Sequence, residues 1–529
     1  MIAALLALPL ALPAPQASQV HEANGGSLAT VTTLQLDPSQ RVQGAWLLEP
    51  RPGAAPELVV ASLLEEARPA RRLRIHRRRG GARPFDSDPD HELALTPDVV
   101  AFALADVHPD PGAELVLFTA TGAFSWRPLA PAEGERFARL MSAEFLWQLP
   151  DREEVFAWQA GVCDLDGDGL VDLCLPEPDG YRIAYQRRDP GGAAEFGAPS
   201  VLRVPAEIDP ETGRRRGSRA PISLGGNVDR REASLAFTLG TDDGEPGDSG
   251  PLVAVHDRLP APQLVDWDGD SRPDVLAQGA RELYVWVQRG GGGFGADPDR
   301  RLPLPVERDE TRRLDISYSA HARDLDGDSR ADCVIFAGDK RSDEARTQVL
   351  FFDQRDGPLF GREGRPRQLL VLAGFAGYPR LVDFDGDARP DLVLSSLRPD
   401  LIDSLRSAST GKLDVETYVY LNRGGRFSQR PDLTCELAVP VEGSSFRARF
   451  FGDLTGDGTS ELLLRDEPGR LRVLLVRRVR DSFQLFDRPL WELRIPEEAE
   501  LTIRRATAAG PPELLVADEG EVLHVGFRR

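Results

Sequence analysis

Apolar residues in this chain come in short runs, and each run opens on an acid. PELVVA at Glu57 is followed by AELVLF at Glu114, VDLCLP at Asp172, PDVLAQ at Asp274, ADCVIF at Asp332, PDLVLS at Asp391, SELLLR at Glu461 and PELLVA at Glu513. The steps between these acids are 57, 58, 102, 58, 59, 70 and 52 residues. Short solid apolar runs bounded by turn residues read as buried strands, and the repeats lack the 3.6-residue periodicity of helices. In the sixth copy LVDF precedes an acidic loop and DLVLSS follows it; TYVYLN then alternates, and Gly424 and Gly425 mark a turn before Phe427. The fourth copy repeats the plan with QLVDW, DVLAQ, LYVWVQ and RGGGGFG.

Four short antiparallel strands in each repeat predict an all-β chain built as a β-propeller of four-stranded blades. Eight copies favour eight blades; seven blades with an irregular insertion is the alternative. The last copy stops after its third strand, EVLHVGFRR, whereas the alternating segment SLATVTTLQL near the start has no acidic loop before it. This N-terminal segment is expected to supply the missing strand and close the ring, which removes sheet edges that would template aggregation. The long step places an insertion near 205–250. The 70-residue step places a smaller one near 398–412, where Leu401 and Leu405 stand at helical i, i+4 spacing.

The candidate chemistry lies in the loops before the runs. CDLDGDGLVDLC carries Asp164, Asp166, Asp168 and Asp172 at loop positions 1, 3, 5 and 9. The same positions hold Asp266, Asp268, Asp270 and Asp274; Asp324, Asp326, Asp328 and Asp332; and Asp383, Asp385, Asp387 and Asp391. A fifth copy has Asp453, Thr455, Asp457 and Glu461. Ca²⁺ seeks six to eight oxygens, and alternate residues of a tightly curled loop point inward together. Gly at position 4 (Gly167, Gly269, Gly327, Gly386, Gly456) permits the sharp turn. Position 7 is expected to offer its carbonyl, from Leu170, Arg272, Arg330, Arg389 and Thr459, so side-chain type matters little there. Mg²⁺ fits less well, because it demands a tighter octahedron and keeps its waters. The loop differs from an EF-hand, which needs a Glu at position 12 and flanking helices. Four to five Ca²⁺ are expected. The second copy keeps Asp106, Asp110 and Glu114 but has His108 and Pro109 inside, and is assigned no metal; the first and eighth copies lack the loop acids.

Charge supports this assignment. The formal net charge is −21, which excludes the basic face that nucleic-acid binding requires. Five bound Ca²⁺ would bring it to about −11. Residues 1–17 read as a secretory signal peptide with an apolar stretch too short to span a membrane, although a basic leading region is missing. A propeller over 18–529 is then expected to be secreted, periplasmic or on the cell surface. Cys163 and Cys174 flank one loop; they are either a hairpin disulfide or two buried thiols.

Asp-rich loops in phase with the repeat resemble the FG-GAP/VCBS repeat family, whose members look like the integrin α-subunit N-terminal propeller. EFGAP, with Phe196 to Pro199, and GGFG, with Gly292 to Gly295, are similar to the Phe-Gly element of that family. The resemblance implies Ca²⁺ in the loops, an extracellular setting, and recognition through the opposite face or the insertions.

GDSGPLV at Gly247–Val253 looks like a serine-protease nucleophile segment, but none of the seven His stands in a matching context, and the segment reads as a turn. The chain is therefore expected to be a monomeric binding module for an extracellular protein or glycan, not an enzyme. The alternative is a carbohydrate-active enzyme, a lyase or hydrolase, on the same fold. Trp126, Trp147, Trp158 and Trp286 are the aromatics whose placement bears on that choice.

Overall fold

The computed structural model describes residues 28–528 apart from 38, 52, 65–69, 81–83, 109–111, 120, 131–134, 143–154, 178–179, 189–193, 206–261, 280–281, 291–292, 305–315, 340–345, 355–365, 374, 398–411, 441–447, 468, 481, 498 and 505–510. The proposed signal peptide, the 205–250 insertion (all but its first residue), GDSGPLV and the possible helix near 398–412 (all but Lys412) thus lie outside the described residues.

Eight blades follow one another along the chain, with a separate two-stranded hairpin, Gln186–Arg188 paired with Ala194–Phe196, inside the third repeat. Blade 1 comprises Gln40–Leu48, Glu57–Leu64, Ala70–His76 and His91–Ala94. Blade 2 comprises Val99–Ala105, Glu114–Thr119, Gly122–Trp126 and Phe137–Ser142, with Phe156–Ala157 added parallel to its first strand. Blade 3 holds Val162–Cys163, Asp172–Glu177, Gly180–Ala184 and Ser200–Arg203. Blade 4 holds Gln263–Val265, Asp274–Gln278, Glu282–Trp286 and Arg300–Pro303. Blade 5 has Ile316–Arg323, Asp332–Asp339, Arg346–Phe352 and Gln368–Ala373. Blade 6 has Phe375–Val382, Asp391–Leu397, Lys412–Tyr420 and Leu433–Pro440. Blade 7 is built from Ala448–Gly452, Glu461–Glu467, Arg470–Val479 and Ser482–Arg494. Blade 8 takes three strands from the C-terminal end, Glu500–Arg504, Glu513–Asp518 and Glu521–Phe527, and its fourth, Ala29–Gln35, from the N-terminal end. The protein is an eight-bladed β-propeller closed by its N-terminal strand.

The acid of every repeat is the first residue of a second strand. It pairs with the last residue of the first strand in all eight blades: Leu48 with Glu57, Ala105 with Glu114, Cys163 with Asp172, Val265 with Asp274, Arg323 with Asp332, Val382 with Asp391, Gly452 with Glu461 and Arg504 with Glu513. Blades without loop acids therefore keep the same loop length and register. Second strands are covered on both faces, as in Glu114–Thr119, where every residue is buried, and this explains their solid apolar runs. Fourth strands alternate: in Gln368–Ala373 only Leu370 and Leu372 are buried.

Packing closes the ring independently of strand pairing. Eight apolar clusters form among the described residues, each shared by two neighbouring blades. The cluster joining blades 8 and 1 contains Leu34, Ala45, Leu58, Val60, Phe85, Leu515 and Val522. The Phe-Gly element has a packing role. Phe427 is buried in the blade 5–6 cluster, and Phe294 and Phe196 pack against the 3–4 and 2–3 clusters. Trp286 and Trp126 are buried in such clusters, and Trp158 is half-buried against one; Trp147 lies outside the described residues.

Candidate metal centre

Each acidic loop folds by turning its side chains back onto its own backbone. In the blade 6 loop, Asp383 Oδ1 accepts from Gly386 N at 2.8 Å and Oδ2 from Ala388 N at 3.1 Å. Asp387 Oδ1 accepts from Arg389 N at 2.9 Å. The position 9 carboxylate, Asp391, accepts from Phe384 N at 2.8 Å and from Asn422 N at 2.7 Å. The other loops repeat this wiring: Asp164, Asp266, Asp324 and Asp453 each hold the amides of positions 4 and 6.

Two residues per loop take left-handed backbone. Position 4 is always Gly, with φ of 76 to 83°. A Cβ on Gly386 would stand 2.8 Å from the Gly458 carbonyl of the next blade, so that position needs Gly for two reasons. Position 6 has φ of 66 to 86° and holds Gly169, Ser271, Ser329, Ala388 and Gly458. Sequence reasoning missed position 6; its uniformly small residues were the available signal.

This folding gathers carboxylates. Oxygens of Asp164, Asp166 and Asp172 lie within 4.8 Å of one another, and so do those of Asp266, Asp268 and Asp274, of Asp324, Asp326 and Asp332, of Asp383, Asp385 and Asp391, and of Asp453, Asp457 and Glu461. Positions 1, 3 and 9 thus converge in four loops. Position 5 joins the group only in the fifth loop, where Thr455 donates its hydroxyl toward Glu461 at 3.4 Å. In blades 3, 4 and 6 position 5 is met by arginine. Arg389 Nε lies 2.9 Å from Asp387, Arg272 pairs with Asp270, and Arg187 spans Asp166 and Asp168 at 2.5 and 3.2 Å. The Arg272 and Arg389 side chains at position 7 therefore turn back onto their own loops.

The electrostatics call for a cation. Burial pushes the Asp172 carboxyl up from 3.8 to about 7; Gln186 and Leu165 amides oppose the rise and Asp166 and Asp168 add to it. Burial likewise raises Asp274 to about 6, Asp332 and Asp391 to about 7, and Glu461 to about 8. Asp385 is also raised, by burial and then by Asp387 and Asp383, and its Oδ1 is buried without a hydrogen-bond partner. Orphaned buried carboxylate oxygens facing other carboxylates fit a hard divalent ion. These loops could hold metal ions.

The remaining blades lack such groups among the described residues. In blade 2, Glu114 still accepts from Val107 N at 3.0 Å, but His108 Nε2 bonds Ser125 Oγ at 2.7 Å and Asp106 lies 3.5 Å from Arg51. In blade 8, Glu513 occupies position 9 and meets Arg78, Arg504 and His524 at 2.7, 3.3 and 3.0 Å. Cys163 is half-buried and Cys174 buried, on the two strands that their loop joins, and no disulfide links them. Of the two readings of this pair, the disulfide does not form.

Residues 266–335 match the family model described as FG-GAP-like repeat; the segment spans the two loops of blades 4 and 5. A search of curated proteins finds no match. Among solved structures, the chain is similar to the WD40 domain of SCAP from fission yeast, with 10% identity over 94% of each chain and a TM-score of 0.40. It is similar to Sqt1 from Chaetomium thermophilum, with 11% identity over 94% of this chain and 97% of that one and a TM-score of 0.40. It is also similar to Drosophila Semaphorin 1b, extracellular domains 1-2, with 9% identity over 81% and 86% and a TM-score of 0.31. The chain is an eight-bladed β-propeller that carries an FG-GAP-like repeat in its fourth and fifth blades.

Proposed function

We propose that this protein is a secreted, calcium-clipped propeller that serves as an interaction module for an extracellular protein or glycan. The observation that carries the metal reading is the convergence of three carboxylates at the same corner of five consecutive blades. Such a site takes Ca²⁺ through oxygen donors alone; its role is to neutralise buried charge and tie two strands of a blade together. The ligands are positions 1, 3 and 9 in blades 3 to 6 and positions 1, 5 and 9 in blade 7, with other loop oxygens completing the shell. No helix of the described residues is long and apolar enough to cross a membrane, and export is assigned to residues 1–17.

A polar partner suits the surface beside the loops. A cavity of about 460 Å³ opens between blades 4 and 5, lined by Trp267, Asp268, Arg289, Arg300, Arg330 and Gln354. Its volume falls within the range of small-ligand sites, and its mixed lining of arginines with Asp268 and Asp299 favours a polar one. Binding rather than catalysis is the activity proposed, since Trp126 and Trp286 are spent on inter-blade packing. The experiment is a glycan and protein array probed with the full chain, with calcium and with chelator. Calcium-dependent capture of a defined glycan or protein is expected; turnover of a captured polysaccharide would replace the binding reading with the enzymatic one.

A further inference from the structure

Two residues beyond the third strand, four consecutive blades place a side-chain amide: Gln186, Gln288, Gln354 and Asn422. The backbone N–H of each donates to the position 9 carboxylate of its own blade, at 2.8 Å to Asp172, 2.7 Å to Asp274, 3.3 Å to Asp332 and 2.7 Å to Asp391. The side-chain amide of each donates backwards, to the carbonyl of loop position 2 in the preceding blade. Gln186 Nε2 reaches Val107 O at 2.9 Å, Gln288 Nε2 bonds Leu165 O, Gln354 Nε2 reaches Trp267 O at 3.1 Å and Asn422 Nδ2 reaches Leu325 O at 2.7 Å.

That position 2 peptide is itself a donor. Its N–H bonds the other oxygen of its own position 9 carboxylate, as in Leu165 to Asp172, Trp267 to Asp274, Leu325 to Asp332 and Phe384 to Asp391. The links therefore run from carboxylate to amide residue to position 2 residue to carboxylate, hydrogen bonds alternating with covalent backbone. At its far end, the Ser460 amide donates to Phe384 O at 2.8 Å, next to Glu461. Four of the five candidate ligand groups lie along it, and the fifth stands beside its end. Gln186, Gln288 and Asn422 are buried, so these bonds do not exchange with solvent.

We infer that the amides of Gln288, Gln354 and Asn422 are positioning residues that couple the calcium loops of blades 3 to 6, so that filling one loop strengthens binding in the loop before it. This rests on the calcium reading above. A loop that binds an ion fixes its position 9 carboxylate and the amide residue bonded to it. The amide then fixes the position 2 peptide of the preceding loop, and that peptide orients the next carboxylate. The neighbour has less ordering left to do when its own ion arrives, which is positive coupling without any shared ligand.

The test is a calorimetric titration of the metal-stripped full chain with Ca²⁺. Asp385→Ala should remove the blade 6 ion and weaken the blade 5 ion about fivefold to tenfold, the scale of ordinary site–site coupling. Asn422 is no ligand of the blade 5 loop, yet Asn422→Leu should weaken binding there, and Asp385→Ala added to it should weaken the remaining ions no further. Gln288→Met, which keeps the side-chain length, repeats the test between blades 3 and 4 and guards against misfolding of the first variant, with native β-structure checked by circular dichroism. Unchanged affinity of the remaining ions in Asp385→Ala, or coupling that persists in both amide variants, overturns the inference. Absence of any calcium heat from the unaltered chain overturns the calcium reading itself, and so is distinguishable from failure of the coupling alone.

Discussion

Arg78 Nη2 in blade 1 lies 2.7 and 2.9 Å from the two carboxylate oxygens of Glu513 in blade 8. Glu513 stands at position 9 of a loop without other acids, so a guanidinium occupies the place where five other blades gather carboxylates. Burial pushes the Glu513 carboxyl up, but the hydrogen bond and charge of His524, with Arg78, outweigh it and hold it below the ordinary range. The same Arg78 lies 4.9 Å over the Phe85 ring, in the blade 8–1 cluster. Arg78→Met should cost about 1–3 kcal/mol, since it leaves a buried acceptor short of a charged donor. A urea titration should find the same loss with calcium and with chelator.

Metal removal should act elsewhere. Chelation should lower the Tm, because an ion that binds only the folded state stabilises by mass action. Hydrogen exchange should quicken in blades 3 to 7 and stay unchanged in Glu513–Asp518 and Glu57–Leu64. An unaltered melt with chelator would count against structural calcium.

The pH dependence follows from the raised carboxyls. Asp172, Asp274, Asp332, Asp391 and Glu461 hold their protons more tightly folded than unfolded. Their contribution to the metal-free protein is fully present below their unfolded values near 4 and is lost as pH rises through about 6 to 8. Ca²⁺ must displace those protons, so its affinity should rise over the same window. The gain in Tm on adding calcium should therefore be larger at pH 8 than at pH 5.

Asp385→Asn should change sign with metal. It removes a buried charge whose Oδ1 has no partner, so the chelated variant should be more stable than the chelated parent. In saturating calcium it should be less stable, and calorimetry should count one ion fewer.

Gly386→Ala should destabilise by about 1–3 kcal/mol, from the left-handed backbone and from contact with the Gly458 carbonyl. Gly456→Ala shares the backbone cost but meets nothing within 4 Å, so the difference between the two urea midpoints reads the inter-blade contact alone.

Much of this was legible in the sequence because the register is local. Each acid and the strand end it pairs with are nine residues apart, so Glu57 to Glu513 marked eight blades directly, and SLATVTTLQL announced the closing strand. Positions 1, 3 and 9 were legible for the same reason. In blade 3 the turn of position 5 toward arginine was not, because Arg187 reaches Asp168 from a separate hairpin. The arginine clasp on Glu513 was hidden by a separation of 435 residues. The amide relay was hidden by variable turns: Gln186 and Gln288 follow their aspartates by 14 residues, Gln354 by 22 and Asn422 by 31. Counted from the end of the third strand, the offset is constant.

Ala29 is paired with Phe527 and Gln35 with Glu521. The strand Ala29–Gln35 thus leaves the ribosome long before the strand it pairs with. Until the final blade is made, Thr30 and its neighbours present an open edge, and Glu521–Phe527 has no outer neighbour once it emerges. Closure of so distant a pair is slow and leaves unpaired edges exposed meanwhile. A chain of this design is safest where synthesis finishes before the circle is sealed.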